Sequence, residues 1–168
     1  MFVLAYGVEL VMSPPDSRGA PTGDIMAEIV ELAEPVDIAK EILVFESAES
    51  AADAEALLDR HDADYEKLRL LKLSPTASNL FKAGALYEDY AIDARSGNVY
   101  FDLHLVAAFR LTKTKPDAEP APALLQLEEH LIGTLSSDEG TLHLIDKQLA
   151  PLADRVARAY GCTATREY

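Results

Sequence analysis

The sequence predicts an α+β fold: a mixed or antiparallel sheet carrying a βαβ unit at about 42–73, a long β-hairpin at about 87–111 and a C-terminal helical segment at about 122–160. Three observations predict it. Residues 2–12 and 99–111 repeat apolar side chains with a period of two, as strands do. Residues 42–73 change from a short apolar run to helical spacing and back. Residues 124–159 carry leucines and other apolar residues three and four apart. The expected organisation is a sheet domain over 1–112, a Pro-rich linker over 113–122 and a helical segment over 123–160, together one domain of 168 residues. A chain of this length buries roughly 70% of its unfolded surface, enough for an independent core.

The apolar start, Phe2 to Met12, has no basic residue before it and contains Glu9, and it is too short to span a bilayer. It reads as a central strand with both faces apolar rather than as a signal peptide. Residues 13–23, Ser-Pro-Pro-Asp-Ser-Arg-Gly-Ala-Pro-Thr-Gly, form a breaker-rich loop, long for a compact domain and therefore either mobile or functional. Asp24 caps a short helix with Ile25, Ile29 and Leu32 on its apolar stripe, Asp24, Glu28 and Glu31 opposite, and Pro35 at its end. Ile42–Phe45 is a strand or a helix end. Ser50 with Asp53 three residues on starts a helix that buries Ala54, Leu57 and Leu58, and a strand follows at 66–73, its alternation broken at Leu70-Leu71.

In the hairpin, Val99, Phe101, Leu103, Leu105, Ala107, Phe109 and Leu111 line one face, and Tyr90, Ile92 and Ala94 line the preceding strand. Bringing both sets to one face requires odd–even pairing. A two-residue turn at Ser96-Gly97 or Gly97-Asn98 provides it, whereas a three-residue turn with a bulge would set Ile92 opposite Tyr100. Beyond the linker, Leu124, Leu127, Leu131 and Leu135 line one helix. Ser136 and Glu139 make a capping box, and Leu142, Ile145, Leu149, Leu152, Val156 and Ala159 make a seam that Pro151 kinks and Gly161 ends.

Charge separates the candidate functions. Residues 24–66 hold 14 Asp/Glu against Lys40 and Arg60, while the whole chain is −14. Such a field repels nucleic acid and anionic membranes and attracts cationic surfaces. The expected role is therefore that of a small acidic cytoplasmic protein that binds a cationic protein non-catalytically, in the manner of inhibitors, immunity proteins or chaperones. Glu28, Glu31, Asp53 and Glu55 are its protein-binding residues. The alternative is a ligand-binding or catalytic domain on the polar face of the 87–111 hairpin, where Asp93, Asp102 and His104, with Asp89, Tyr87, Arg95 and Tyr100 beside them, could act as acid and base or hold a divalent ion. A third reading uses Leu142, Ile145, Leu149, Leu152 and Val156 as a homo-oligomer seam, such as a dimer's.

No cofactor and no metal is expected. His61-Asp62-Ala63-Asp64 has ligand-like composition, but no second cluster completes it, and a polar loop after a helix explains it. There is no phosphate-cradling Gly loop, nucleophile elbow or CxxC. Cys162 is the single cysteine, so no internal disulfide forms and no oxidising compartment is needed.

Overall fold

The computed structural model describes residues 2–11, 22–74, 76, 80–137 and 140–168. The loop at 13–23 lies largely outside them, as does Glu139. Among the described residues there are five α-helices and eleven strands in two sheets, an α+β protein with a helix near its C-terminus. The chain divides into two compact units, one of residues 2–72 with 92–100 and one of 73–91 with 101–168.

The first unit is built on a six-stranded sheet. In chain order its strands are β1 (Phe2–Leu10), β2 (Asp37–Ala39), β3 (Ile42–Phe45), β4 (Tyr65–Leu73), β6 (Ile92–Asp93) and β7 (Val99–Asp102), laid out as β2-β3-β1-β4-β7-β6. β3 and β4 therefore flank β1, and α2 (Ala48–Arg60) makes the crossover of the expected βαβ unit. Helix α2 begins earlier than Ser50: Ser47 is the N-cap, and its Oγ accepts from the Ser50 backbone N at 3.1 Å. It ends at His61, and Asp62 takes the left-handed conformation (φ 52°) that turns the chain out of the helix. α1 (Thr22–Ala33) packs beside α2, and both cover one sheet face, where Ile25, Ile29, Ala54 and Leu58 meet Val8, Leu43 and Phe45.

The inward stripe of α1 is Ile25 and Ile29, with Met26 and Ala33 packed at its edge; Leu32, expected inside, is 60% exposed. Its position falls on the helix flank, beyond Ile25 on the side away from Met26 and Ala33. The opposite sheet face carries Ala5, Ile42, Val44, Leu68, Leu70 and Tyr100. Gly7 admits this packing, since a Cβ there would stand 2.9 Å from Leu70 Cδ1 and 3.1 Å from Leu68 Cβ.

The β6–β7 hairpin departs from the expected register. Ile92 opposes Tyr100 and Asp93 opposes Val99. Ala94 N donates to Asn98 O, Gly97 N donates to Ala94 O, and Gly97 has φ +84°. This is the three-residue turn with a glycine bulge, which shifts every partner by one. Tyr100 consequently points into the core, fully buried, instead of toward solvent. The hairpin is also shorter than 87–111. Tyr87–Tyr90 forms the short helix α3, and Asp102 turns the chain after β7: its carboxylate accepts from His104 N at 2.8 Å, and its carbonyl accepts from Leu105 N at 3.0 Å. The residues after that turn join the second sheet.

The second unit carries that sheet, of β5 (Phe81–Ala83), β8 (Val106–Lys113), β9 (Leu131–Ser137), β10 (Gly140–Asp146) and β11 (Cys162–Arg166) in the order β11-β8-β10-β9-β5. Here the expected helical segment is corrected. Only α4 (Pro120–Leu127) and α5 (Ala150–Ala159) are α-helical, and residues 131–146 are the antiparallel pair β9–β10. Leu131, Leu135, Leu142 and Ile145 are strand residues. Leu142 through Ile145 are buried without interruption, so both strand faces are covered and the three-and-four spacing there arises from continuous burial. Ser136 opposes Thr141 in the ladder and caps no helix. Pro151 sits in the first turn of α5, where a missing N–H costs nothing, so it kinks nothing. Gly161, at φ +70°, follows the helix end as expected.

The supposed oligomer seam is core. Ile145 and Val156 are buried against Phe109, Leu127 and Ala153, with Leu149 and Leu152 packed at the margin, and Leu142 is 5% exposed. Phe81, Tyr87 and Phe101 form an aromatic cluster with ring centroids 5.8–6.2 Å apart, and the Phe81 ring lies over Gly133, whose Cβ would fall 2.1 Å from it. Cys162, on β11, is buried and in no disulfide.

Candidate functional sites

Because α1 and α2 bury one stripe each, their charges must face outward. Asp24, Glu31 and Asp53 are exposed and form no ion pair among the described residues. Glu28 and Glu55 are held differently. Glu28 Oε2 lies 2.6 Å from His61 Nε2 of α2, and Glu55 Oε2 lies 2.5 Å from Lys67 Nζ of β4, with the Glu55 side chain largely covered. The exposed Leu32 stands one turn beyond Glu28, so an apolar side chain lies among the acids. The unit of 2–72 and 92–100 has 17 Asp/Glu against 7 Lys/Arg, a net −10 of the chain's −14.

The residues expected on the hairpin's polar face are divided between the two units. Asp93 is exposed on β6, Tyr100 is core, and Tyr87 belongs to the aromatic cluster. Asp102 and His104 do come together: Asp102 Oδ1 accepts from the His104 backbone and lies 3.1 Å from its Nδ1. A carboxylate only accepts, so Nδ1 carries a proton. His104 lines a small cleft of about 440 Å³ together with Asp89, Tyr90, Asp146 and Lys147. In that cleft Tyr90 OH donates to Asp146 Oδ2 at 2.5 Å, which pushes the phenol up to about 12, while Asp146 Oδ1 caps the next turn by accepting from Gln148 N. Lys147 Nζ donates to Leu103 O at 2.8 Å.

A larger cleft of about 880 Å³ opens in the same unit between α4 and the sheet. It reaches His143, which is 3% exposed, with Nδ1 3.1 Å from Thr134 Oγ1 and its ring 5.4 Å from that of Phe109. Burial, reinforced by the Arg110 charge, pushes the imidazole down to about 4, so it is neutral at physiological pH.

The sequence pattern did not single out His143, Thr134 or Lys82 as site residues. Their one signal is polar types on strands whose neighbours are apolar, and it was masked while 131–146 read as helix. Among the described residues no group of three or more His, Cys, Asp or Glu converges, and no helix is long and apolar enough to cross a membrane. Comparison with protein-family models, with curated proteins and with solved structures finds no match.

Proposed function

We propose that this chain acts by non-catalytic binding of a cationic protein, in a cytoplasmic setting, through the outward face of α1 and α2. The observation that carries the reading is the exposed Leu32 on a helix whose Asp24 and Glu31 carboxylates form no ion pair among the described residues. A partner-facing surface combines an apolar contact with charges that steer approach, and Leu32 with Asp24 and Glu31 supplies both on one helix. Glu31, Asp53 and Asp24 supply the field, together with Glu28 and Glu55, which also pair with His61 and Lys67. The same field disfavours nucleic acid, whose phosphates would meet carboxylates.

The test is parallel affinity capture with the wild-type chain and with a Leu32→Asp, Glu31→Lys, Asp53→Lys variant. The reading expects a basic partner retained by the first and lost by the second. Equal recovery by both chains contradicts it.

A second reading rests on the Asp102–His104 pair. An imidazole oriented by a carboxylate and lining a small cleft is the arrangement of a general base for a small ligand. Binding of any small ligand abolished by both His104→Ala and Asp102→Asn, yet unaffected by the acidic-face variant, would favour it.

A further inference from the structure

The cleft beneath α4 has a floor that its surroundings do not explain. Lys82 of β5 opposes Thr134 of β9, and Thr134 opposes His143 of β10, so three polar residues run in a row across three strands. Elsewhere the helix-covered face is apolar, as Ala107, Phe109 and Ile145 show. A buried imidazole is costly unless its nitrogens are satisfied. Thr134 satisfies Nδ1. Nε2 has no protein partner among the described residues, yet no buried side-chain nitrogen there is left unsatisfied, so Nε2 is open to the cleft. Where the Thr134 hydroxyl donates to Nδ1, Nε2 carries the proton and is a donor, and this is the tautomer that a carboxylate ligand requires. Lys82 is exposed and has no ion-pair partner among the described residues. On the α4 side Ala121, Leu124 and Leu125, the last 72% exposed, give an apolar strip beside Gln126. Glu128 and Glu129 also line the cleft, but both are exposed, Glu129 at 81% and 3.5 Å from His130, so water screens their charges.

We propose that this cleft binds a small amphipathic monocarboxylate, with the carboxylate between the Lys82 ammonium and His143 Nε2–H and the alkyl body along Leu124 and Leu125. An ammonium and a neutral donor suit a single negative charge, and an apolar wall suits an unbranched chain. The cleft volume is that of an ordinary small-molecule site. The proposal does not depend on the acidic face of the other unit.

Decanoate is the probe, followed by calorimetry and by the NMR signals of the His143 ring, with decanol as the neutral control. The expected result is saturable one-to-one binding below roughly millimolar concentration, with decanol about tenfold weaker. Lys82→Met should weaken decanoate about tenfold, with decanol and the unfolding temperature unchanged, because Lys82 is a surface residue. His143→Asn should weaken decanoate too. Absence of heat and of any His143 shift overturns the proposal. So does decanol binding as tightly as decanoate, or decanoate binding that ignores Lys82→Met.

Discussion

Asp37 on β2 and Tyr100 on β7 share a 2.8 Å hydrogen bond although three strands, β3, β1 and β4, separate them in the sheet. The sheet of the first unit therefore curls until inward side chains of the edge strand β2 reach those of β7. Asp37 opposes Val44 and so points to the same face as Ile42, Leu70 and Tyr100. Its Oδ2 also accepts from Ser96 Oγ at 2.5 Å and Asn98 Nδ2 at 2.9 Å, and its Oδ1 accepts from Ile38 N at 2.9 Å. Burial raises the carboxyl's pKa, but these four donors outweigh it and hold it below the usual carboxylate range. Burial and the Asp37 charge push the Tyr100 hydroxyl up, so it stays protonated and donates.

This closure predicts coupling between the two residues. Tyr100→Phe should cost about 1.5–3 kcal/mol, the range for a hydrogen bond to a charged group. Asp37→Ala should cost more, because it strands the buried Tyr100 hydroxyl as well as Ser96 and Asn98. Denaturant melts of both single variants and the double should give a coupling energy of about 1–3 kcal/mol. Additivity within about 0.5 kcal/mol would mean that the bond does not close the sheet.

Acid should weaken the fold in two stages. His143 has a folded pKa of about 4 against 6.5 unfolded, so the unfolded chain binds the proton first as pH falls. Stability should drop by about 3 kcal/mol between pH 6.5 and 4 and change no further through this group below 4. Asp37 acts at lower pH: its stabilisation is present above the unfolded value and is lost as pH falls through its lowered folded value. Urea melts across pH should show the first loss disappear in His143→Asn and the second in Asp37→Asn.

Two leucine-type positions separate core from surface. Ile145→Ala should cost about 2–5 kcal/mol, since the side chain is fully buried in the second unit. Leu32→Ala should cost less than about 0.5 kcal/mol, as an exposed side chain does. Thermal unfolding of the two variants decides it, and a large loss at Leu32 would place that residue in the core.

The α+β class was legible because periods of two and 3.6 differ clearly wherever one face is exposed, as on α2 and β4. It failed where both faces are covered. On β10, unbroken burial of Leu142–Ile145 imitates a helical stripe, and local spacing holds no information against that. The hairpin register failed for a different reason. Alternation was extended through Asp102, whose side chain turns the chain, and a bulge at Gly97 shifts the pairing by one. Of the candidate site residues, the outward placement of Glu31 and Asp53 follows from helix periodicity, and so does that of Asp24. The Asp102–His104 contact was within reach because the two are neighbours in the chain. Asp37 with Tyr100, and Lys82 with Thr134 and His143, are joined only by strand order, which the sequence does not encode locally.

The most direct measurement of the central claim is the association rate with the captured partner across a salt series, for the wild-type chain and for an Asp24→Lys, Glu31→Lys, Asp53→Lys variant. The account predicts a wild-type rate that falls steeply as salt rises, and a variant at least about tenfold slower at low salt with the fold unchanged. A wild-type rate indifferent to salt and matched by the variant would contradict it.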